Sequence, residues 1–276
     1  MFESLINRGF QVEFHSHAEA ILGVDFPDAV IELENALASS TVPIEEIIAG
    51  GGGEAKGTQR LRKTLYAVDW PKFTFAIEKR INGVPRESVS HEIDHVRTYE
   101  NGNRIALEIE WNNKDPFYDR DLENFKRLHS DGAISVGIIV TRGRSLQDNM
   151  RSMVRRFLDE RQIQGFEDLE RWDYIPTAKQ KAAITRRITR KKKPLTFREA
   201  MTDKFVSDKF GEATTHWRKL EDRVHRGVGN PCPLLLVGLP DSIVTFHEGQ
   251  SALKELRSEE SDEDEDELGA EQDSEE

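Results

Sequence analysis

The stretch Asn101-Gly102-Asn103-Arg104-Ile105-Ala106-Leu107-Glu108-Ile109-Glu110-Trp111 carries two signals at once. Asn-Gly is the strongest short hairpin signal, because both residues tolerate positive φ. The apolar alternation Ile105/Leu107/Ile109/Trp111 that follows has the period of a strand. Ala106, Glu108 and Glu110 therefore share the opposite face. Two carboxylates on one face of an otherwise apolar strand are costly to bury unless they are paired or hold a cation. The alternative is a pair of solvated acids on an open antiparallel face, and the residues alone leave both readings open.

A hairpin turning here needs a first arm over residues 92–99, and that arm contains Asp94. A plain two-residue loop pairs Asp94 with Ile109 and puts it on the wrong face. A three-residue loop with Gly102 in a bulge shifts the register by one and sets Asp94 across from Glu108. Asp94, Glu108 and Glu110 then converge, and such hard oxygen ligands suit Mg²⁺. The same arm holds His91-Glu92-Ile93-Asp94-His95, the H-E-x-x-H pattern of zinc proteases. That chemistry needs a helix, to bring His91 and His95 to one side with Glu92 as base, whereas the hairpin needs the segment extended. A zinc metalloprotease is the runner-up reading.

Outward from the hairpin, Asp119 and Asp121 open a helix with Leu122, Phe125 and Leu128 on its apolar side, where negative charge suits the dipole. Residues 133–140 are almost all apolar, as in a strand buried on both faces. Leu146, Met150, Val154 and Phe157 trace one side of the next helix. Residues 179–193 are basic and polar, a helix expected to end at Pro194, and 233–239 form a last buried strand. Upstream, residues 28–37 have helical spacing, Thr58 can cap a short basic helix, and Phe73/Phe75/Ile77 alternate as a strand. This order predicts the α/β (α+β) class, a mixed β-sheet flanked by helices.

The 276 residues suffice for a sizeable core. The net charge of −12 is a local property, since residues 258–276 hold 12 of the 51 acidic residues and leave the body with 39 of each sign. An acidic pI near 5.3 thus does not exclude a nucleic-acid partner. We expect one domain over 1–257, with the hairpin-borne site at about 85–141, and an acidic disordered tail over 258–276. No apolar run approaches the ~20 residues of a membrane helix. Met1-Phe2-Glu3-Ser4 shows no secretory leader, so a soluble, cytoplasmic chain without a membrane partner is expected. The single cysteine, Cys232, excludes an internal disulfide and reads as a core residue. Gly50 to Thr58 imitates a phosphate loop, but Lys56-Gly57-Thr58 reverses the required Gly-Lys-Thr order. What survives there is a glycine hinge beside Arg60 and Arg62, able to touch a phosphate.

Asp94 followed by Ile105-Ala106-Leu107-Glu108-Ile109-Glu110-Trp111 resembles the active-site hairpin of the PD-(D/E)xK nucleases, and more narrowly type II restriction endonucleases of the BglII and BstYI kind. The likeness extends to His17-Ala18-Glu19-Ala20-Ile21-Leu22 and to the stretch from Arg226 to Gly238. It implies a restriction-endonuclease-like core and Mg²⁺-dependent hydrolysis of phosphodiester bonds in duplex DNA. It makes Asp94 and Glu108 the metal-binding carboxylates and Glu110 the third catalytic residue. Glu110 departs from the pattern: the broad family has lysine there and the narrower group glutamine. Lys114 is a possible substitute cation, and a catalytically degenerate DNA-binding scaffold is the non-enzymatic alternative.

The resemblance further implies a homodimer acting on a palindromic double-stranded site. Specific binding needs cations for phosphates and short polar side chains for base edges. Thr215, His216, Arg218, Arg226 and Asn230 offer these in what reads as a surface loop, and Asn112 and Asn113 follow the catalytic strand directly. With Arg60 and Arg62 they form the expected DNA-contact set.

Overall fold

The computed structural model describes residues 1–49 and 54–246 and centres on a five-stranded mixed sheet. The glycines at 50–53 and the acidic stretch 258–276 lie outside the described residues. The chain opens with α1 (Glu3–Asn7), β1 (Gln11–His15), α2 (Ala18–Asp25) and α3 (Pro27–Ala38). Pro27 takes the first position of α3, where a missing N–H costs nothing. β2 (Val42–Pro43), α4 (Ile44–Ile48) and α5 (Lys56–Tyr66) follow. β3 (Phe73–Ile81) and β4 (Val84–Ile93) form a separate two-stranded ribbon, and β5 (His95–Thr98) and β6 (Arg104–Glu110) make the hairpin read from the sequence. Next come α6 (Phe117–Ser130), β7 (Val136–Arg142), α7 (Arg144–Glu160), α8 (Phe166–Glu170) and α9 (Ala178–Ile188). The described chain ends with α10 (Phe197–Lys209), α11 (Trp217–His225), β8 (Leu234–Leu239) and β9 (Val244–Thr245).

The sheet order is β1-β8-β7-β6-β5. β6, β7 and β8 are parallel, while β1 and β5 are antiparallel edges. Helices cover both faces, which explains the near-continuous apolar runs of β7 and β8. One face packs Leu107, Ile138 and Val237 against α3 and α7. The other packs Ala106, Ile139 and Leu236 against α6 and α11 through Phe125, Trp217 and Leu220. Strand alternation puts Glu108 and Glu110 on this second face. Gly137 lets α6 come close, since a Cβ there would collide with the Phe125 ring.

Several boundaries differ from the sequence reading. α5 begins at Lys56 after Ala55, and Thr58 lies inside it without capping. α9 stops at Ile188: the consecutive cations Arg190, Lys191, Lys192 and Lys193 repel one another, and a residue before proline avoids helical geometry. The strand expected over 133–140 runs over Val136–Arg142, because buried Thr141 and Arg142 find hydrogen-bond partners. The largest correction concerns 214–230. Its middle is α11, whose Trp217, Leu220 and Val224 are buried at helical spacing. Gly227 and Gly229, which suggested a loop, come only after it ends. Among the described residues no helix is long and apolar enough to cross a membrane.

Candidate active site

Asp94 occupies the one-residue break between β4 and β5, where the chain passes from the ribbon to the central sheet. The hairpin turns through three residues: Tyr99 N donates to Asn103 O at 3.0 Å, Gly102 N donates to Tyr99 O at 2.9 Å, and Gly102 has φ +84°. The resulting register pairs His95 with Leu107 and Thr98 with Arg104. Continued by one step, it sets Asp94 opposite Glu108. The two carboxyls are in hydrogen-bond contact, and Ile109 N donates to Asp94 Oδ2 at 3.4 Å.

Glu110, the last residue of β6, meets different partners. Asn113 Nδ2 donates to its Oε2 at 2.8 Å. Asp121, on the first turns of α6, contacts its carboxyl. Arg120 donates from Nε to Asp121 Oδ1 at 2.8 Å and brings Nη2 to 3.7 Å from Glu110 Oε1. Glu108, Glu110 and Asp121 are 3%, 2% and 0% exposed, so all three are removed from water. Asp121 Oδ2 is buried without a donor.

The acids thus meet as two touching pairs, Asp94 with Glu108 and Glu110 with Asp121. Among the described residues, the group of three metal-ligating side chains whose ligand atoms lie within 4.8 Å of one another is elsewhere, at Glu13, Glu221 and His225. Burial, with the neighbouring Asp94 and Asp121 charges, holds Glu108 well above the usual carboxylate range. Burial and then Asp121 push Glu110 up to about 8, against the opposing pull of Asn113 and Arg120. Burial also raises Asp121, although Arg120 opposes it. Such a cluster must take up protons or a cation to be stable.

A brace behind the acids sets the end of β6. Thr141 Oγ1 donates to Glu110 O at 2.7 Å and meets Tyr118 Oη at 2.6 Å. Arg142, fully buried, donates to Trp111 O at 2.7 Å, Thr214 Oγ1 at 2.8 Å and Thr215 O at 2.6 Å. Thr215 in turn accepts from Asn113 N at 3.1 Å and donates its own N–H to Asn113 O at 2.9 Å. Beyond Asn113 opens a cleft of about 580 Å³, bounded by Asn112, Lys114, Tyr174, Gln180 and Lys209 among others.

The expected DNA contacts are scattered. Thr215 and His216 are wholly buried, so their reading as base contacts is corrected: they anchor the start of α11. Arg60 binds Glu46 through both nitrogens at 2.6 and 2.9 Å, Arg62 pairs with Glu54 at 2.9 Å, Arg218 with Asp148 at 2.7 Å and Arg226 with Asp222 at 2.8 Å. Asn112 is half-buried, while Asn113 and Asn230 are exposed. Lys114 bridges to Thr214 at the cleft, and Arg120 is the cation in contact with the acids. The segment 91–95 is extended. His91 pairs with Phe75 in the ribbon, and His95 turns its Nδ1 to Trp70 O at 3.0 Å, so the helix a zinc protease requires is absent there. Asp121 was readable only as a helix-opening acid; no strand or turn signal ties it to Glu110.

The family model described as restriction endonuclease BglII/BglIII matches residues 10–239 of the 276. No curated protein matches the chain.

Proposed function

The chain belongs to the BglII/BglIII restriction endonuclease family and is a type II site-specific deoxyribonuclease; from that premise we propose that it hydrolyses phosphodiester bonds of duplex DNA with Mg²⁺ held by Asp94 and Glu108. The donor set fits that ion. Buried carboxyl oxygens meet in pairs, Asp121 Oδ2 is orphaned, and Arg120 is the guanidinium in contact with them. When bound, Mg²⁺ supplies Lewis acidity to the phosphoryl oxygens and makes water a stronger acid.

Glu110 is the proton acceptor in this reading. Its Oε2 accepts the Asn113 amide, which orients the carboxyl to take a proton from the attacking water. A carboxyl pushed up to about 8 is poised near neutrality, where a general base works best. Arg120 supplies the positive charge that lysine provides in the broader nuclease pattern. Asn112, at the rim of the cleft, is positioned to reach nucleotides beside the scissile bond, while Asn113 gives its side-chain amide to Glu110. Arg60, Arg62, Arg218 and Arg226 contact phosphates by exchanging their carboxylate partners for DNA. Residues 1–257 act as one endonuclease domain in a cytoplasmic homodimer that cuts both strands of a palindrome.

The observation that carries this reading is the contact of Asp94 with Glu108 at the strand switch. Plasmid DNA incubated with Mg²⁺ should yield discrete fragments that vanish with EDTA and with Asp94→Ala. Specific DNA binding by the wild type without cleavage, at any Mg²⁺ concentration, would refute it.

A further inference from the structure

We propose that Glu13, His15, Glu221 and His225 form a site for a zinc-class divalent transition metal, separate from the acid pairs of β6, and that this ion ties β1 to α11. Glu13 and His15 are two apart on β1 and therefore point to one face of the sheet. Glu13 pairs in register with Leu236, whose side chain belongs to the core beneath α11. Glu221 and His225 are four apart on α11, one turn along the same side of the helix. A strand and a helix each present one carboxylate and one imidazole to the space between them.

The side chains meet there. One ligand atom from each of Glu13, Glu221 and His225 lies within 4.8 Å of the others. Both imidazoles aim Nε2 at the same oxygen, Glu13 Oε1, at 2.9 Å for His15 and 3.5 Å for His225. The rings stand edge to face with centroids 6.2 Å apart. His15 Nε2 is buried and lies off the line that a hydrogen bond to Glu13 requires, so this nitrogen is left without one. Arg144 pairs with Glu221 Oε1, the outer contact that commonly fixes the orientation of a ligating carboxylate. Two imidazoles with two carboxylates favour Zn²⁺, Co²⁺ or Ni²⁺ over Mg²⁺, which takes oxygen ligands and retains water.

The consequence is structural. α11 leads into the turn that carries Arg226 and Asn230 and then into β8, so an ion between Glu13 and His225 fixes the helix at the end nearest that turn. It also favours the folded chain by linkage.

The test uses the full chain, stripped with chelator and titrated with Co²⁺, whose visible bands are intense for mixed nitrogen and oxygen ligands at low coordination and faint in an all-oxygen octahedron. The expected result is one tightly held Co²⁺ per chain with such bands, displaced by Zn²⁺ and accompanied by a rise in Tm. His225→Ala and Glu221→Gln should each weaken it at least roughly tenfold, while Asp94→Asn leaves it intact. His225 is 59% exposed, so its removal spares the core. Absence of the bands, their survival in both variants, or their loss in Asp94→Asn would each overturn the assignment.

Discussion

Asn113 donates its side-chain amide to Glu110 Oε2 at 2.8 Å, so a residue three beyond the end of β6 orients the acid at that end. The contact is possible because Arg142 and Thr215 hold the backbone on both sides of it. From its position just beyond β6 the sequence reads Asn113 as a DNA contact. The structure turns its side chain to the acid cluster instead.

Removing that partner should act on rate rather than on recognition. Asn113 favours the ionised form of Glu110, so Asn113→Ala raises the proton affinity of the acid further. Loss of a charge-assisted hydrogen bond is worth about 1.5 kcal/mol, or roughly tenfold in rate. Cleavage at neutral pH should fall by about that factor and recover at higher pH. Specific binding, measured by gel shift with Ca²⁺ in place of Mg²⁺, should hold. A variant that loses binding and cleavage in parallel would make Asn113 a DNA contact first.

Asp121→Asn should move the same profile the other way. Asp121 raises Glu110 by its charge, and its replacement lets Glu110 ionise at lower pH. At saturating Mg²⁺ the acid limb of the cleavage profile should therefore shift to lower pH, with a few-fold gain relative to wild type on that limb. A shift to higher pH, or none, would remove Asp121 from the pocket.

The sequence was informative where the physics is local. Alternation in β6, the turn at Asn101-Gly102 and the apolar run of β7 depend on neighbours along the chain, and the three-residue turn gave the register that brings Asp94 to Glu108. The motif at His91 to His95 resolved for the same reason, since a strand that runs into a hairpin turn cannot also be a helix. Arg142 and Asp121 were missed because their partners are distant in sequence: Arg142 serves carbonyls 31 and 73 residues away. α11 was missed because three buried positions, Trp217, Leu220 and Val224, are a faint helical signal beside two glycines. The four arginines assigned to DNA were legible as cations, but their carboxylate partners were not.

The metal-free protein should lose stability as pH rises through neutrality. Glu110 is pushed up to about 8 in the folded state, from an ordinary value of 4.5, and Glu108 is raised as well. Between those limits the folded chain binds more protons than the unfolded one, so unfolding is favoured by each rise in pH. The contribution is fully present below about 4.5 and gone above about 8. Chemical denaturation in EDTA, from pH 5 to pH 9, should show this decline, with a shallower slope in Glu110→Gln. Added Mg²⁺ should restore stability at the alkaline end and release protons when it binds at neutral pH. An unchanged slope in Glu110→Gln would contradict the assigned burial.

Gly137 links the sheet to the pocket. It lies in β7 beneath Phe125, and Phe125 is one turn along α6 from Asp121. Because a Cβ at 137 would enter the space of the aromatic ring, Gly137→Ala must lift α6 off the sheet or bend β7. Overpacking of this kind costs about 1–3 kcal/mol, which for a chain of this size lowers Tm by roughly 2–4 °C per kcal/mol. The same displacement carries Asp121 and Arg120 away from Glu110, so cleavage should fall by more than the loss of folded protein explains. Phe125→Leu on the Gly137→Ala background makes room for the methyl and should recover both. Recovery of Tm without recovery of cleavage would mean that α6 positions the acids by some contact other than its seat on Gly137.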